Sequence, residues 1–309
     1  MSVVRYGLLR YQLPMLWTGA RVVAHTLLNA LIPASRSPAI SVAGAPPADH
    51  GAANAAARIT PVTRVIAAPP AALVEAYRDW TGAQELTGQL LPHMASQWSL
   101  PLVGELLLRL PYKLTSVINQ GVSLRVHGAL PRNTPLHVSA AVEQIEETPG
   151  RIKVVVAVST GTAQQPVLVD ARLHMSFLLP GPRAARVARD TADEPQWSTA
   201  GVWHADERDG LRFALLTGDF NPIHWCGPLA RRSVFRSLVL HGFGSFVRSY
   251  ELLKQQGIVF NEIDVRFVKP VPLPCCALSV QIAPADASGW RPIRLAGAGD
   301  ALHLAGNLR

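Results

Sequence analysis

The stretch LLTGDFNPIHW, residues 215–225, places an aspartate, an asparagine, a proline and a histidine within six positions. Asp219 and His224 are of the two residue types that most readily exchange protons with a substrate. Their five-residue spacing would set them well apart around the axis of a continuous helix. Pro222, however, removes a backbone donor and turns Asn221 away from helical angles, so the stretch is not helix interior. It reads as a tight loop, opened by Gly218, that re-enters helix at Pro222. A loop of that kind can turn an acid and an imidazole toward a common point. Taken alone, the same string is equally a set of turn formers with a histidine attached.

The elements around the loop decide between these readings. Downstream, GFGSFVRSYELLKQQG (242–257) puts Phe246, Val247, Tyr250 and Leu253 on one helical face, with Gly257 as its C-terminal stop. Strand-like alternations follow in NEIDVRFVKPVPLP, CCALSVQIAP and WRPIRLAGAG. An earlier body repeats the order: AYRDWTGAQEL (76–86), an apolar helical stretch, then strands over 121–135, 136–147 and 151–161. VSLRVHGALP overlays IDVRFVKPVPLP, and WTGAQ overlays LTGDF. In that register Ala83 stands where the second body has Asp219, and nothing matches Asn221-Pro222 or His224. A duplicated helix-plus-antiparallel-sheet unit follows, α+β in class.

At 309 residues the chain has room for two such bodies. An Ala/Pro/Gly/Ser-rich segment, 33–57, and a Pro/Gly/charge-mixed one, 179–198, read as linkers. The expected organisation is an arm and linker over 1–57, a first body over 58–180, a linker over 181–198 and a second body over 199–309. Net charge is +8, which favours anionic partners. No basic run interleaved with aromatics and no zinc-finger spacing points to nucleic acid. Cys226, Cys275 and Cys276 form neither a disulfide framework nor a metal spacing, and fit a reducing, cytoplasmic compartment. The first acidic residue is Asp49. Before it, Arg10, Pro14, Arg21 and His25 interrupt every apolar run, so none approaches the ~20 residues of a membrane span. The arm is expected to dock on the body, with weak interfacial membrane contact as an alternative.

GDFNPIH, followed after sixteen residues by His241-Gly242, a helix and VRFVKPVPLP, resembles the MaoC-like hot-dog family of (R)-specific enoyl-CoA hydratases and 3-hydroxyacyl-thioester dehydratases. The likeness is specific from about residue 200 onward and holds only in outline before it. The whole chain therefore resembles the double hot-dog members, in which a degenerate half pairs with a catalytic one and the two build one continuous sheet. The resemblance implies that Asp219 and His224 hold the water added or removed, without assigning the α-proton to either. Asn221 would organise the loop. Gly242, opening the central helix, would offer its N–H to the thioester oxygen, the missing side chain permitting close approach, and His241 would support that turn. Relatives carry a small hydroxyl residue eight positions after this glycine, bonded to the aspartate; here Tyr250 stands there, with Ser249 beside it, so a tyrosine hydroxyl would have to substitute. Arg231, Arg232, Arg266 and Lys269 are candidates for the phosphates of an acyl-CoA or acyl-carrier-protein substrate. His93, near the place of His241 in the first half, lacks an acidic loop upstream and reads as structural. No cofactor beyond the substrate's own coenzyme A or phosphopantetheine is implied. No metal is expected, because Asp219, His224 and His241 lack an HxxxH or Cys/His spacing. The chain would act as a monomeric pseudo-dimer or a homodimer. The competing readings are a hot-dog thioesterase and a non-catalytic acyl-thioester binding protein.

Overall fold

A computed structural model of the chain describes residues 4–21, 59–179 and 195–309. Both expected linkers, 33–57 and most of 179–198, lie outside the described residues.

The described residues build one ten-stranded antiparallel sheet with helices against it. In the first half the strands are β1 (Val62–Ile66), β2 (Val117–Val126), β3 (Leu136–Thr148), β4 (Arg151–Gly161) and β5 (Val169–Leu178). In the second they are β6 (Ser198–Ala205), β7 (Glu262–Phe267), β8 (Cys275–Ile282), β9 (Arg291–Ala296) and β10 (Leu302–Leu308). Their spatial order is β1-β3-β4-β5-β2-β7-β10-β9-β8-β6. Read outward from the middle, each half repeats the same succession, so the duplication inferred from the sequence is present in the strand order. The halves meet where β2 pairs antiparallel with β7, in a register that sets Val122 opposite Val265 and Ser123 opposite Asp264. Both valines are buried, and Ser123 Oγ donates to Asp264 Oδ1 at 2.5 Å. Strand alternation explains the buried face: in β4, Ile152, Val154, Val156 and Val158 turn inward while Lys153 turns out.

Four helices matter for the site: α1 (Ala71–Thr81), α2 (Ala95–Leu107), α3 (Asp209–Thr217) and α5 (Gly242–Gln255), with the short α4 (Gly227–Arg232) between the last two. The central helix α5 buries Phe246, Val247, Tyr250 and Leu253, the face its periodicity predicts, and Gly257 follows at φ +72°. Its counterpart α2 is apolar on nearly every side and carries Pro101 in its interior. The matched helices α1 and α3 end alike. Gly82 and Gly218 both cap in the left-handed region, at φ +77° and +83°. Thr81 and Thr217 each return a hydroxyl hydrogen bond to the carbonyl four residues back, Tyr77 and Phe213, at 3.0 and 2.9 Å. The overlay of WTGAQ on LTGDF is therefore a structural equivalence.

Polar contacts lock the halves beyond the sheet. Asp209, fully buried, accepts from Trp80 Nε1 at 3.1 Å and pairs with Arg212 and Arg248 at 3.0 and 3.1 Å. Gln255 Nε2 donates to Gly82 O at 2.6 Å. Residues 6–21 form a helical arm, a 3-10 segment continuing into an α-helix, laid across this assembly. Arg5 pairs with Asp79 at 2.9 Å, and buried Gln12 donates from Nε2 to Leu215 O at 2.9 Å. Among the described residues no helix is long and apolar enough to cross a membrane.

Candidate active site

Residues 215–225 adopt the loop their composition dictates. Helix α3 stops at Thr217, Gly218 takes the left-handed cap, and a 3-10 turn begins at Pro222 and ends at His224. Asn221 caps that turn: its side-chain oxygen accepts from Ile223 N at 3.3 Å, while its own backbone N–H donates to Asp219 Oδ1 at 3.3 Å. The asparagine thus organises the loop with its side chain and steadies the carboxylate with its main chain.

This turn brings Asp219 and His224 together, and His241 closes the group. A carboxylate oxygen of Asp219 and one ring nitrogen from each histidine lie within 4.8 Å of one another. His224 Nδ1 is 2.8 Å from Val239 O, so it carries the proton, and Nε2 is left with its lone pair. His241, at the N-cap of α5, donates from Nε2 to the Asp219 main-chain oxygen at 2.9 Å. The two imidazoles stack with centroids 3.6 Å apart. His224 and His241 are buried, while the Asp219 side chain is 40% exposed, which makes it the solvent-facing member. Burial pushes the His224 pKa down, against the opposing pull of Asp219 and of the Val239 bond. His241 is driven to about 3, by burial first and by His224 second. The site therefore holds neutral imidazoles beside a carboxylate at neutral pH.

Two proton-handling groups within 4.8 Å can share one water, since two hydrogen bonds of about 2.8 Å meeting at a tetrahedral oxygen span roughly that gap. The same three side chains could in principle face a metal ion. His241 Nε2, however, is already spent on the Asp219 carbonyl, and near-parallel rings aim their nitrogens alongside one another instead of at a common centre. The donor set fits an acid–base pair better than an ion.

Gly242 opens α5, where the first amides have no intrahelical acceptor. A Cβ on Gly242 would lie 2.4 Å from the Phe267 ring. Packing against Phe267 is therefore enough to demand glycine at this position. His241 does more than support this turn, since it bonds the 215–225 loop directly.

Tyr250 is placed differently from the expectation. Its ring packs edge-on to His93 at 4.9 Å and to Phe260 at 4.8 Å, and no hydrogen bond joins it to Asp219 among the described residues. Ser249 Oγ is taken by Ser245 O at 2.8 Å. Asp219 is instead held by the Asn221 amide and, through its main-chain oxygen, by His241. This arrangement could have been found in the sequence only by asking what the histidine of His241-Gly242 reaches.

The expected phosphate-binding residues fall in separate places. Arg231 and Arg232 are exposed on the last turn of α4, soon after His224, and Lys269 is exposed beyond β7. Arg266 pairs with Asp264 and donates to Val265 O, an exposed arrangement on β7. Cys226 is half-buried at the N-cap of α4. His93 occupies the entry to α2 as His241 does to α5; it is buried, with Nδ1 3.2 Å from Tyr77 Oη and Nε2 2.5 Å from Glu251 Oε1. Its role is structural, and it ties the first half to the central helix of the second.

The sheet order and paired central helices define a double hot-dog fold, and comparisons with known structures agree. The chain is similar to HtdX of Mycobacterium tuberculosis, at 20% identity over 81% of this chain and 99% of that one, with a TM-score of 0.67. It is similar to a MaoC-like dehydratase from Phytophthora capsici, at 15% identity over 83% and 96%, with a TM-score of 0.66. Peroxisomal multifunctional enzyme type 2 from Drosophila melanogaster shares 17% identity over 81% of this chain and 48% of that one, with a TM-score of 0.59. No curated protein sequence matches the chain. Residues 183–276 match the family model described as the MaoC like domain. That span contains Asp219, Asn221, His224, His241 and Gly242.

Proposed function

We propose that the chain interconverts a trans-2-enoyl thioester and an (R)-3-hydroxyacyl thioester by adding or removing water. The observation that carries this reading is the Asp219–His224 pair, set within water-bridging distance with His224 Nε2 freed by the Nδ1 bond to Val239. In the hydration direction the bridged water's oxygen bonds to C3. The pair accepts one proton from that water and one proton is delivered to C2, so H and OH add across the double bond. In dehydration the C2 proton leaves to the pair and the 3-hydroxyl departs as water. Negative charge building on the thioester oxygen would be met by the free amides opening α5 at Gly242.

The MaoC-like match supports hydratase or dehydratase chemistry, and likeness to the family supports the R stereochemistry. The substrate brings its own coenzyme A or phosphopantetheine, and no further cofactor enters the scheme. Arg231 and Arg232 are the first basic residues after the loop in sequence and are the candidates for the substrate's phosphates. Three free cysteines suit a reducing cytoplasm, and the two-half fold suits a monomer or a homodimer.

The test is incubation with trans-2-enoyl-CoA substrates of increasing chain length, following the enoyl-thioester absorbance and resolving the product's enantiomers. Loss of absorbance with an R product, abolished in Asp219→Asn and His224→Ala, is the expected result. An S product, or activity unchanged in both variants, overturns the assignment. Release of free thiol without hydration would make the chain a thioesterase, and tight binding without turnover a binding protein.

A further inference from the structure

The N-terminal arm is apolar on its outer side as well as on the side that meets the protein. Facing the body are Leu8, Gln12 and Thr18, all buried, with Val4, Tyr11 and Met15 partly buried beside them. Gln12 is satisfied by Leu215 O, and Thr18 Oγ1 bonds back to Pro14 O at 3.0 Å. Facing outward are Tyr6, Leu9, Leu13, Leu16 and Trp17, with Tyr6, Leu13 and Trp17 exposed by 67, 66 and 70%. A surface helix of a globular protein keeps its outer face polar. Single exposed apolar residues need no explanation, but five on one face of a short arm do.

The chemistry of that face selects its occupant. Arg10 and Arg21 are exposed among the apolar side chains, and the sequence has no acidic residue before Asp49. Trp and Tyr favour the boundary between hydrocarbon and water, and arginine reaches from that boundary to phosphate. A second copy of the chain would bring like charges face to face, which opposes pairing. We propose that the outer face of residues 6–21 docks on an anionic lipid surface, lying in its plane without crossing it. The arm also touches the catalytic loop: a Cβ on Gly218 would meet Met15 Cβ at 2.6 Å, so Met15 sits directly over the residue before Asp219. Docking therefore sets the site beside the bilayer, where acyl chains partition. The inference does not depend on the reaction proposed above.

The experiment is flotation of the full chain with vesicles of phosphatidylglycerol and phosphatidylcholine, against phosphatidylcholine alone. Binding is expected to the anionic vesicles, weakening as salt is raised. Leu13→Ser/Trp17→Ser should lower partitioning roughly tenfold or more, since two side chains leave the interface, and Arg10→Glu/Arg21→Glu should abolish the preference for anionic lipid. Circular dichroism and thermal melts confirm that each variant is folded, as these side chains point away from the body. No flotation of the wild-type chain, or equal binding to neutral vesicles, overturns the proposal. So does self-association in sedimentation that Leu13→Ser/Trp17→Ser removes, since the face would then belong to a second copy. The outcome is read without any turnover, so it is separable from failure of the hydratase reading.

Discussion

His224 and His241 lie face to face, ring centroids 3.6 Å apart and planes 25° from parallel. Two buried imidazoles so close cannot both take up a second proton and become imidazolium, and burial already opposes the first charge. The arrangement keeps the base face of His224 in its lone-pair form through the range where an exposed histidine would be half protonated.

A pH dependence follows. His241 has an ordinary value of 6.5 and a folded value of about 3, so below 6.5 the unfolded chain binds a proton that the folded chain refuses. Its contribution to stability is present above 6.5 and is lost as pH falls toward 3. His224 acts in the same direction. Urea midpoints measured through this range should fall with acidification in the wild type, and less steeply in His241→Gln, which keeps a side-chain donor for the Asp219 carbonyl but does not titrate. The acid limb of kcat/KM should likewise lie below the ordinary histidine value.

Asp219→Asn and His224→Ala should each lower hydration by ~10²–10⁴-fold. Asp219→Asn should melt close to wild type, since that side chain is 40% exposed, whereas His224→Ala also removes a buried ring bonded to Val239 O and should melt lower. A combined variant should lose little beyond the worse single one, as expected of groups acting on one water. Steady-state rates on the preferred chain length check both points.

Gly242→Ala must displace either the start of α5 or the Phe267 ring, since the added carbon would sit 2.4 Å from it. Overpacking of this kind costs about 1–3 kcal/mol. Phe267→Leu in the same chain should recover much of that stability. Chemical denaturation of the single and double variants gives the measurement.

Asp209→Ala leaves Arg248 buried between the Trp80 and Trp203 rings without its carboxylate, and strips Trp80 Nε1 of its acceptor. Removing one partner of a buried pair costs about 3–5 kcal/mol. The loss should appear in the melting of the whole chain, although Asp209 lies outside the Asp219–His224–His241 cluster.

Much of this was readable from residues alone where local physics dominates. Pro222 and Gly218 announce the loop through backbone restrictions that no tertiary context overrides, and α5 shows its buried face by periodicity. The edge strands were not readable. In β1 three consecutive residues are exposed, and β6 buries only Ala205, so neither alternates. In β10, Gly306 has no side chain to contribute, because a Cβ there would lie 2.0 Å from Asp264 O. Helix α2 was obscured by Pro101 and by being apolar all round. Tyr250 was misjudged because counting positions along α5 gives the face of a helix but not what stands opposite; His93, from the other half, fills that place.

The seam between β2 and β7 joins two bodies that belong to one polypeptide. Their association is thus governed by an effective concentration set by the chain itself, and dilution cannot pull them apart as it would separate subunits. The half without a counterpart of Asp219 and His224 remains a tethered partner, bound to preserve the row from Gly121 to Arg125 that completes its neighbour's sheet.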